Sequence, residues 1–475
     1  MSPVRKSAKS PHAAHRAARR VKGPAVAEAH LPSEAEMRRL AERVLRLSQE
    51  ADETEVEILA GADALTRFAN NVIHQNVAER TIAVSVRTVF DGRTARATTN
   101  KTDEDGLRRV IAASGELARS QPKDPDLLPM PRAQKYSKVD RYFDDTASAT
   151  PAYRAKAVAD VCALTAKNRQ TAAGIFATGA SAMLLANSAG LRAAYRQTHA
   201  EFSITILEPD SSGWGKAGDP DLRHVNPLEL AAEASGKAEH SRRPREVEPG
   251  RWTVILEPAA VLDLVGFLFY DFAGTAVLDQ RSCFNNRMGK KVMGENITLH
   301  DDVTHPLQSG PAFDGEGFPR QKVLLVERGV PRNLVYSRAT AKKMKARPTG
   351  HGFPLPNQDG EAPVNLVFAG GKTSVEEMVA STGRGILVTR LWYIREVDPY
   401  EKVLTGMTRD GTFLVEGGRV VAGLRNFRFN QGLLEMLSNV EQLGPAVRAA
   451  GEESFEMVVP SMKVNGFHFT EVTKF

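Results

Sequence analysis

Apolar residues recur at helical spacing near the start of the chain, directly after a capping box formed by Ser33 and Glu36. This pattern predicts a helix that ends near Gln49. A second helix is predicted to begin at Thr102. Alternating and β-branched runs between them predict strands at Thr54–Ala60, Phe68–Val77, Thr81–Val89 and Arg93–Thr99. Helix, strands and helix in this order are typical of an α+β layer with a mostly antiparallel sheet.

Residues 122–150 interrupt the regular pattern. Proline, aspartate and serine are frequent there and periodic apolar positions are few, so we expect a linker or a wrapping loop. A helix is predicted at residues 152–166, and another begins after Asn226 with Pro227 as its first residue. Between these helices the pattern predicts strands at Ala172–Thr178, Ala182–Asn187 and Ala200–Leu207, and a mobile loop at Asp210–Asp219.

The charged, proline-containing stretch Arg242–Gly250 separates two kinds of sequence. A strand at Trp252–Leu256 and a strongly apolar helix at Ala259–Phe272 follow it, and then short strands between glycine and proline turns predominate. We therefore expect an N-terminal α+β domain of residues 31–245 and a β-rich C-terminal domain of residues 250–475. The predicted fold class is α+β.

The clearest β pattern of the C-terminal half lies between Gly383 and Phe429. Turns are expected at Asp410-Gly411 and Gly417-Gly418, because both dipeptides tolerate the positive φ of tight hairpins. The strands of this antiparallel meander are predicted at Gly385–Ile394, Gly411–Glu416 and Arg419–Leu424. The first strand contains three consecutive apolar residues, 386–388, so we expect it in a buried sheet.

Polar side chains are unusually frequent in this meander. They are Arg390, Tyr393, Arg395, Asp398, Thr408, Arg409 and Asp410. One interpretation is a buried network of salt bridges that closes the sheet. The other is an edge that faces a substrate.

Composition favours a soluble globular protein, with 42% hydrophobic and 25% charged residues and no apolar run long enough to span a bilayer. The formal charge of +6 comes from residues 1–22, which carry seven basic residues and no acid. The remaining chain has 56 basic and 57 acidic residues, so it gives no reason to expect a nucleic-acid surface. Residues 1–30 are predicted to be a disordered basic tail, with at most weak, salt-sensitive contacts to polyanions.

The two cysteines lie far apart in the sequence, and nothing in their spacing demands a disulfide. Cys162 falls on a helical apolar pattern and is predicted to lie in the core, whereas Cys283 is expected to be more exposed. A reducing cytoplasm is therefore the expected location.

The meander resembles the C-terminal part of the TldD/PmbA family of zinc-peptidase subunits. Further resemblance lies in Leu65–Gln75, in the Phe-Asp-Gly-Glu-Gly of residues 313–317 and in the Val-Glu-Arg-Gly-Val of residues 326–330. The resemblance implies a pair of related subunits that enclose a peptide site, of which one carries zinc and the other does not.

In catalytic members of that family, His-Glu-x-x-x-His lies on the helix after the first strand of the C-terminal domain, and a cysteine nearer the C-terminus completes the site. The matching helix here, AAVLDLVGFLFYDF, contains no His, Glu or Cys, and no cysteine follows Cys283. His300 and His305 are close in sequence, but Pro306 follows them and a polar loop is expected. The chain is therefore predicted to have no zinc site, no other cofactor and no catalytic residues of its own.

The resemblance implies a metal-free subunit, similar to TldE/PmbA, whose zinc-bearing partner cleaves peptides or unfolded proteins. Arg390 and Arg409 are expected to hold substrate carboxylates and Tyr393 to stack or to donate a hydrogen bond, while His351 is expected in an accessible loop between two glycines. The full set of candidate substrate-binding residues is His351, Arg390, Tyr393, Arg395, Thr408, Arg409 and Asp410. The alternative is a metal-free, homo-oligomeric peptide-binding or scaffolding protein.

Overall fold

The computed structural model describes residues 31–473, so the tail predicted at residues 1–30 lies outside the described residues. Within the described range, six strands form one sheet and eleven form a second. The predicted α+β class is confirmed. No helix of residues 31–473 is long and apolar enough to cross a membrane.

The first sheet is antiparallel throughout and has the strand order β3-β2-β1-β4-β5-β6. Its strands are β1 (Glu53–Ala69), β2 (Val72–Phe90), β3 (Arg93–Thr99), β4 (Thr171–Asn187), β5 (Arg192–Leu207) and β6 (Ser212–Asp219). The helices of this half are α1 (Glu34–Leu47), α2 (Glu104–Ser120), α3 (Asp144–Ala147), α4 (Pro151–Lys167) and α5 (Pro227–His240). Side chains of α1 and α2 pack on one part of the sheet, and α4 and α5 pack on another.

Local sequence signals explain where these helices begin. The Ser33 hydroxyl accepts from the Glu36 amide, and the Glu36 carboxylate accepts in return from the Ser33 amide, which forms the predicted capping box. The Asn226 side chain caps α5 by accepting from the amides of Leu228 and Glu229, and Pro227 is the first residue of the helix.

Two expectations for this half were wrong. The predicted strand Phe68–Val77 contains the turn between β1 and β2, because Asn70 and Asn71 take left-handed φ angles of 52° and 60°. Asp210–Asp219 is not a loop, since residues 212–219 pair with β5 as the edge strand β6. The short stretches at Ala172–Thr178 and Ala182–Asn187 are parts of one long strand, β4.

The second sheet is mixed, and its main path runs β10-β9-β8-β11-β17-β15-β13-β12-β7. Its strands are β7 (Gly250–Leu256), β8 (Leu299–Asp301), β9 (Val323–Glu327), β10 (Val330–Pro331), β11 (Leu366–Phe368), β12 (Arg384–Asp398), β13 (Val403–Glu416), β14 (Arg419–Gly423), β15 (Phe427–Gly432), β16 (Val440–Ala449) and β17 (Met457–Val472). The helices of this half are α6 (Pro258–Val265), α7 (Gly274–Leu278), α8 (Arg338–Met344), α9 (Val375–Ala380) and α10 (Leu433–Ser438). A 3₁₀ helix, Gly266–Phe272, continues directly from α6. The division into two domains stays a prediction.

The meander is present, but one of its turns was placed wrongly. Asp410 and Gly411 form a bulge inside β13, opposite Thr389, with φ angles of 50° and 136°. The connection between β12 and β13 is the four-residue segment 399–402, and the turn at Gly417-Gly418 is confirmed. Residues 386–388 are buried between β7 and β13, as predicted.

Two glycine substitutions test the packing of the first sheet. A Cβ at Gly174 in β4 would lie 2.1 Å from the backbone oxygen of Ser203, whereas a Cβ at Gly236 in α5 would meet nothing within 4 Å. We expect Gly174→Ala to lower the unfolding temperature. We expect Gly236→Ala to raise the stability by about 0.5–1 kcal/mol, because alanine restricts the unfolded chain. Thermal unfolding of both variants checks this, and a neutral result at Gly174 would contradict the register of β4 and β5.

Candidate functional site

A cavity of about 720 Å³ lies beside the 3₁₀ helix that continues α6. It is bordered by that helix, by the turn between β12 and β13, and by the segment 450–456 that connects β16 with β17. Aromatic side chains form much of its wall: Phe267, Phe269, Tyr270, Tyr400 and Phe455. Its size and apolar lining are those of ligand-binding cavities.

A buried lysine is held at the wall of this cavity. The Nζ of Lys402 lies 2.6 Å from Oδ2 of Asp271 and 2.6 Å from Oε1 of Glu396. Burial alone would lower the pKa of Lys402, but the two carboxylates outweigh it and raise that pKa, so the ammonium stays charged. Lys402 also has a left-handed backbone, with a φ of 51°.

Cys283 lies behind this group and is buried, which corrects the expectation that it is exposed. Its backbone N–H donates to Oδ1 of Asp271 over 2.7 Å. Burial and the nearby carboxylate raise the pKa of the Cys283 thiol well above its usual range. The thiol is therefore protonated near neutral pH and is a poor nucleophile.

Helix α6 fixes the roof of the cavity through Asp263, whose side chain has no exposure. The backbone N–H of Glu453 donates to its Oδ1 over 3.1 Å, and that of Glu452 lies 3.5 Å from its Oδ2. The segment also lies very close to the helix, because a Cβ at Gly451 would be 2.1 Å from Oδ1 of Asp263. Only glycine fits this approach.

The second half of β12 forms the rim of the cavity. The strand pairs with β7 only at residues 386–388, so residues 389–398 have no second strand neighbour among the described residues. Tyr393 interrupts the ladder with β13 with a left-handed φ of 56°, and its backbone N–H donates to Oε1 of Glu453 over 2.7 Å. An exposed strand edge of this kind pairs readily with an extended peptide.

Two of the predicted binding residues lie instead in a buried junction between the two sheets, and a third, Thr408, is buried within the second sheet. Arg390 forms an ion pair with Asp410, and Asp410 also accepts from the hydroxyl of Ser212 in β6 over 2.6 Å. The Arg390 guanidinium lies 4.9 Å from the ring centre of Trp214, also in β6. Thr408 is fully buried. The salt-bridge interpretation therefore holds for Arg390 and Asp410, and the substrate-facing one does not.

The remaining meander residues are exposed, and they lie on or next to the rim. Arg395 packs over the ring of Tyr393 at 4.4 Å, and its guanidinium lies 3.6 Å from Glu453. Arg409 packs over the ring of Trp392 at 4.9 Å. The structure therefore brings Tyr393 and Arg395 to the cavity rim, while Arg409 lies on the neighbouring strand.

His351 is not in an accessible loop, since it is 1% exposed. Its Nε2 lies 2.9 Å from Oδ1 of Asp301, and its Nδ1 lies 3.0 Å from the hydroxyl of Thr349. Asp301 in turn accepts from the backbone N–H of Asn365. The glycines beside His351 serve close packing rather than exposure, because a Cβ at Gly350 would lie 2.1 Å from the oxygen of Pro319. His351 is a core residue and cannot contact a substrate.

The residues present do not fit a catalytic zinc ion. Asp263 on α6 is fully buried and its oxygens face backbone N–H groups, while Cys283 is a buried, protonated thiol. Within residues 31–473 no group of three or more His, Cys, Asp or Glu side chains is arranged to hold a metal. The structure therefore assigns no metal-dependent step to these residues.

Sequence reasoning missed the cavity itself. Asp271 and Lys402 are 131 positions apart, and no periodicity links them. One signal in the sequence indicated a cavity. The stretch from Phe267 to Phe272 contains four aromatic residues, more than a helix buried on all sides requires, and some of them could therefore line a binding site.

Comparison with known proteins gives consistent results. A model described as the PmbA/TldA metallopeptidase C-terminal domain matches residues 249–471, and one described as domain 1 of the same metallopeptidases matches residues 55–118. A metalloprotease of Methanocaldococcus jannaschii is 28% identical over 46% of this chain, and one of Methanothermobacter thermautotrophicus is 23% identical over 55%. These matches span 48% and 60% of the two relatives' lengths.

Among solved structures, TldE from Thermococcus kodakarensis has the same fold. Its TM-score is 0.83 at 20% sequence identity, and the match covers 91% of this chain and all of that one.

Asp263 makes the roof of the cavity sensitive to pH. Burial raises the pKa of Asp263 to about 7, so the closed segment is most stable below about pH 4 and loses this stability as the pH rises towards 7. We expect the amides of Gly451, Glu452 and Glu453 to lose protection against hydrogen exchange over this range, after correction for intrinsic rates. In Asp263→Asn, which has no charge to gain, the protection should not change with pH. The same pH dependence in both proteins would contradict this role.

The junction residue Arg390 can be compared with its exposed neighbour Arg409. We expect Arg390→Ala to destabilise the protein by about 3–5 kcal/mol, because it leaves the buried Asp410 with only the 3.6 Å contact to the half-exposed Arg409 as its cation. Arg409→Ala should change the stability by less than about 1 kcal/mol, since that side chain is half exposed. Denaturant unfolding followed by circular dichroism measures both, and equal losses would contradict the assignment of Arg390 to the junction.

Proposed function

We propose, since the chain belongs to the PmbA/TldD metallopeptidase family, that it is the subunit without zinc in a two-subunit peptidase. Its zinc-bearing homologue would supply the metal-activated water that cleaves the peptide bond. This chain would bind the peptide and close one side of the chamber in which cleavage takes place.

One observation carries this proposal. In catalytic relatives the helix after the first C-terminal strand presents the zinc ligands, and here the same helix, α6, is apolar and buried from Ala260 to Val265. Its Asp263 is engaged by the segment 450–456, and an aromatic cavity lies next to it. In this proposal, the region of α6 that would hold the zinc ligands in a catalytic relative serves to bind the peptide instead.

The free edge of β12 and the cavity together suit an extended peptide. Main-chain hydrogen bonds along residues 395–397 would hold the peptide without regard to sequence, and the cavity would accept a side chain. Apolar side chains are exposed around the same place, including Tyr393, Val397, Tyr400 and Phe455. Such a surface is expected to be covered by a peptide or a partner.

A second candidate is the metal-free, homo-oligomeric binding or scaffolding protein. The edge of the first sheet favours it, because β2 pairs with β3 only at residues 84–90 and residues 74–81 are all exposed. This edge has no strand partner among the described residues and could pair with the same edge of a second copy.

We also propose a cytoplasmic location. Both cysteines are free and buried, which suits a reducing compartment.

Purification from the native host discriminates between the two candidates. We expect a tagged chain to recover, in near-equal amount, a homologue that carries His-Glu-x-x-x-His. The reconstituted pair should then cleave an unfolded protein, and each chain alone should not, because residues 31–473 of this chain contain no group arranged to hold a metal and the homologue alone would lack half of the chamber. Cleavage by the homologue alone at the rate of the pair would contradict the proposed role. Recovery of this chain only with itself would favour the second candidate.

A further inference from the structure

The aromatic cavity has an excess of negative charge. Among the described residues that line it, four are acidic and two are basic. The acidic residues are Asp271, Glu396, Glu452 and Glu453, and the basic residues are Arg281 and Lys402. A cavity that bound acidic or neutral ligands would not need an excess of carboxylates in its wall.

Both cations are already engaged. Lys402 is held between Asp271 and Glu396 at 2.6 Å from each. Arg281 lies at the rim, where it pairs with Asp279 at 2.9 Å and packs near the ring of Tyr270. Neither cation is therefore available to neutralise a further carboxylate.

The ion pairs of the roof glutamates are long, although Oε1 of Glu453 also accepts from the backbone N–H of Tyr393 over 2.7 Å. Glu452 lies 3.7 Å from Lys216, and Glu453 lies 3.6 Å from Arg395, both longer than a charge-assisted hydrogen bond. Their side chains are partly exposed, as is that of Glu396. Glu396 holds the buried Lys402 through Oε1 alone, so its Oε2 and the carboxylate of Glu452 can accept from a ligand without breaking a buried ion pair.

Aromatic walls and carboxylates together are suited to a cation with an apolar stem. Rings such as Phe269 and Tyr400 attract a cation through their faces and pack against methylene groups. Lysine and arginine side chains have both features, whereas a glutamate side chain would meet like charge. Glu396 connects this cavity to the strand edge, because it lines the cavity and belongs to β12.

We infer that the cavity is a subsite for a lysine or arginine side chain of a peptide whose backbone lies along β12. This inference rests on the proposed function and names its substrate class, which is peptides or unfolded segments with a basic residue. The carboxylates of Glu396 and Glu452 would receive the charged group, and the aromatic residues would enclose its stem.

Three peptides that differ at one central position test the inference. The position carries lysine, the uncharged and nearly isosteric norleucine, or glutamate, and binding to the full chain is followed by fluorescence anisotropy. We expect the lysine peptide to bind at least tenfold more tightly than the norleucine peptide, and the glutamate peptide to bind most weakly. Non-selective attraction cannot produce this order, since the chain has a net charge of +6.

Variants assign the preference to the cavity. Glu396→Gln and Glu452→Gln should each reduce the preference for lysine to threefold or less. Glu401→Gln is the matched control, because Glu401 lies in the same β12–β13 turn but pairs with Arg287 at 2.6 Å and does not line the cavity. The control should keep the full preference.

The outcomes separate this inference from the proposed function. Equal binding of the lysine and norleucine peptides would overturn the basic subsite and leave peptide binding intact. An unchanged preference in both glutamine variants would overturn it as well, since the cation would then bind elsewhere. Failure to bind any of the three peptides would overturn the proposed function together with the subsite.

Discussion

The candidate site depends on the burial of one carboxylate. Asp263 lies on a helix that is buried on all sides, so its oxygens must find hydrogen-bond donors inside the protein. The backbone of residues 452 and 453 provides them, and the absence of a side chain at Gly451 lets that backbone come close enough. The segment 450–456 is thereby held over the 3₁₀ helix, and the cavity is the space enclosed between them.

The position of the first sheet relative to this cavity depends on arginines that cross between the two halves. Arg390 joins the second sheet to Ser212 and Trp214 of the first through Asp410. Other arginines donate to backbone oxygens across the same boundary, such as Arg448 to Gly218. Guanidinium groups suit this use because they stay charged and present several donors in fixed directions. The boundary is therefore specific in geometry and polar in character.

These two features explain how much could be predicted from the sequence. The helix caps at Ser33 and Asn226, the Gly417-Gly418 turn and the buried run 386–388 follow from local chemistry and were correct, whereas the second helix is capped by Asp103 rather than beginning at Thr102. The site could not be predicted in this way, because Lys402 and Asp271 meet only when the β12–β13 turn and the 3₁₀ helix pack together. Asp410-Gly411 was misplaced for a related reason, since positive φ suits a bulge as well as a turn. His351 between two glycines suggested exposure, but there the glycines allow close packing.

The burial of α6 and of its carboxylate Asp263 also limits how the chain could take part in peptide cleavage. A catalytic metal needs a coordination position open to water and substrate, whereas α6 is closed on all sides and its only carboxylate is used by the roof. Restoring metal ligands on α6 would thus require the segment 450–456 to move, and with it the wall that contains Phe455. The segment 450–456 both covers α6 and forms a wall of the cavity, so the burial of the helix and the presence of the cavity have the same cause. Under the proposed function, a subunit with this arrangement would contribute binding energy at the β12 edge and in the cavity, and another chain would supply the bond-breaking chemistry.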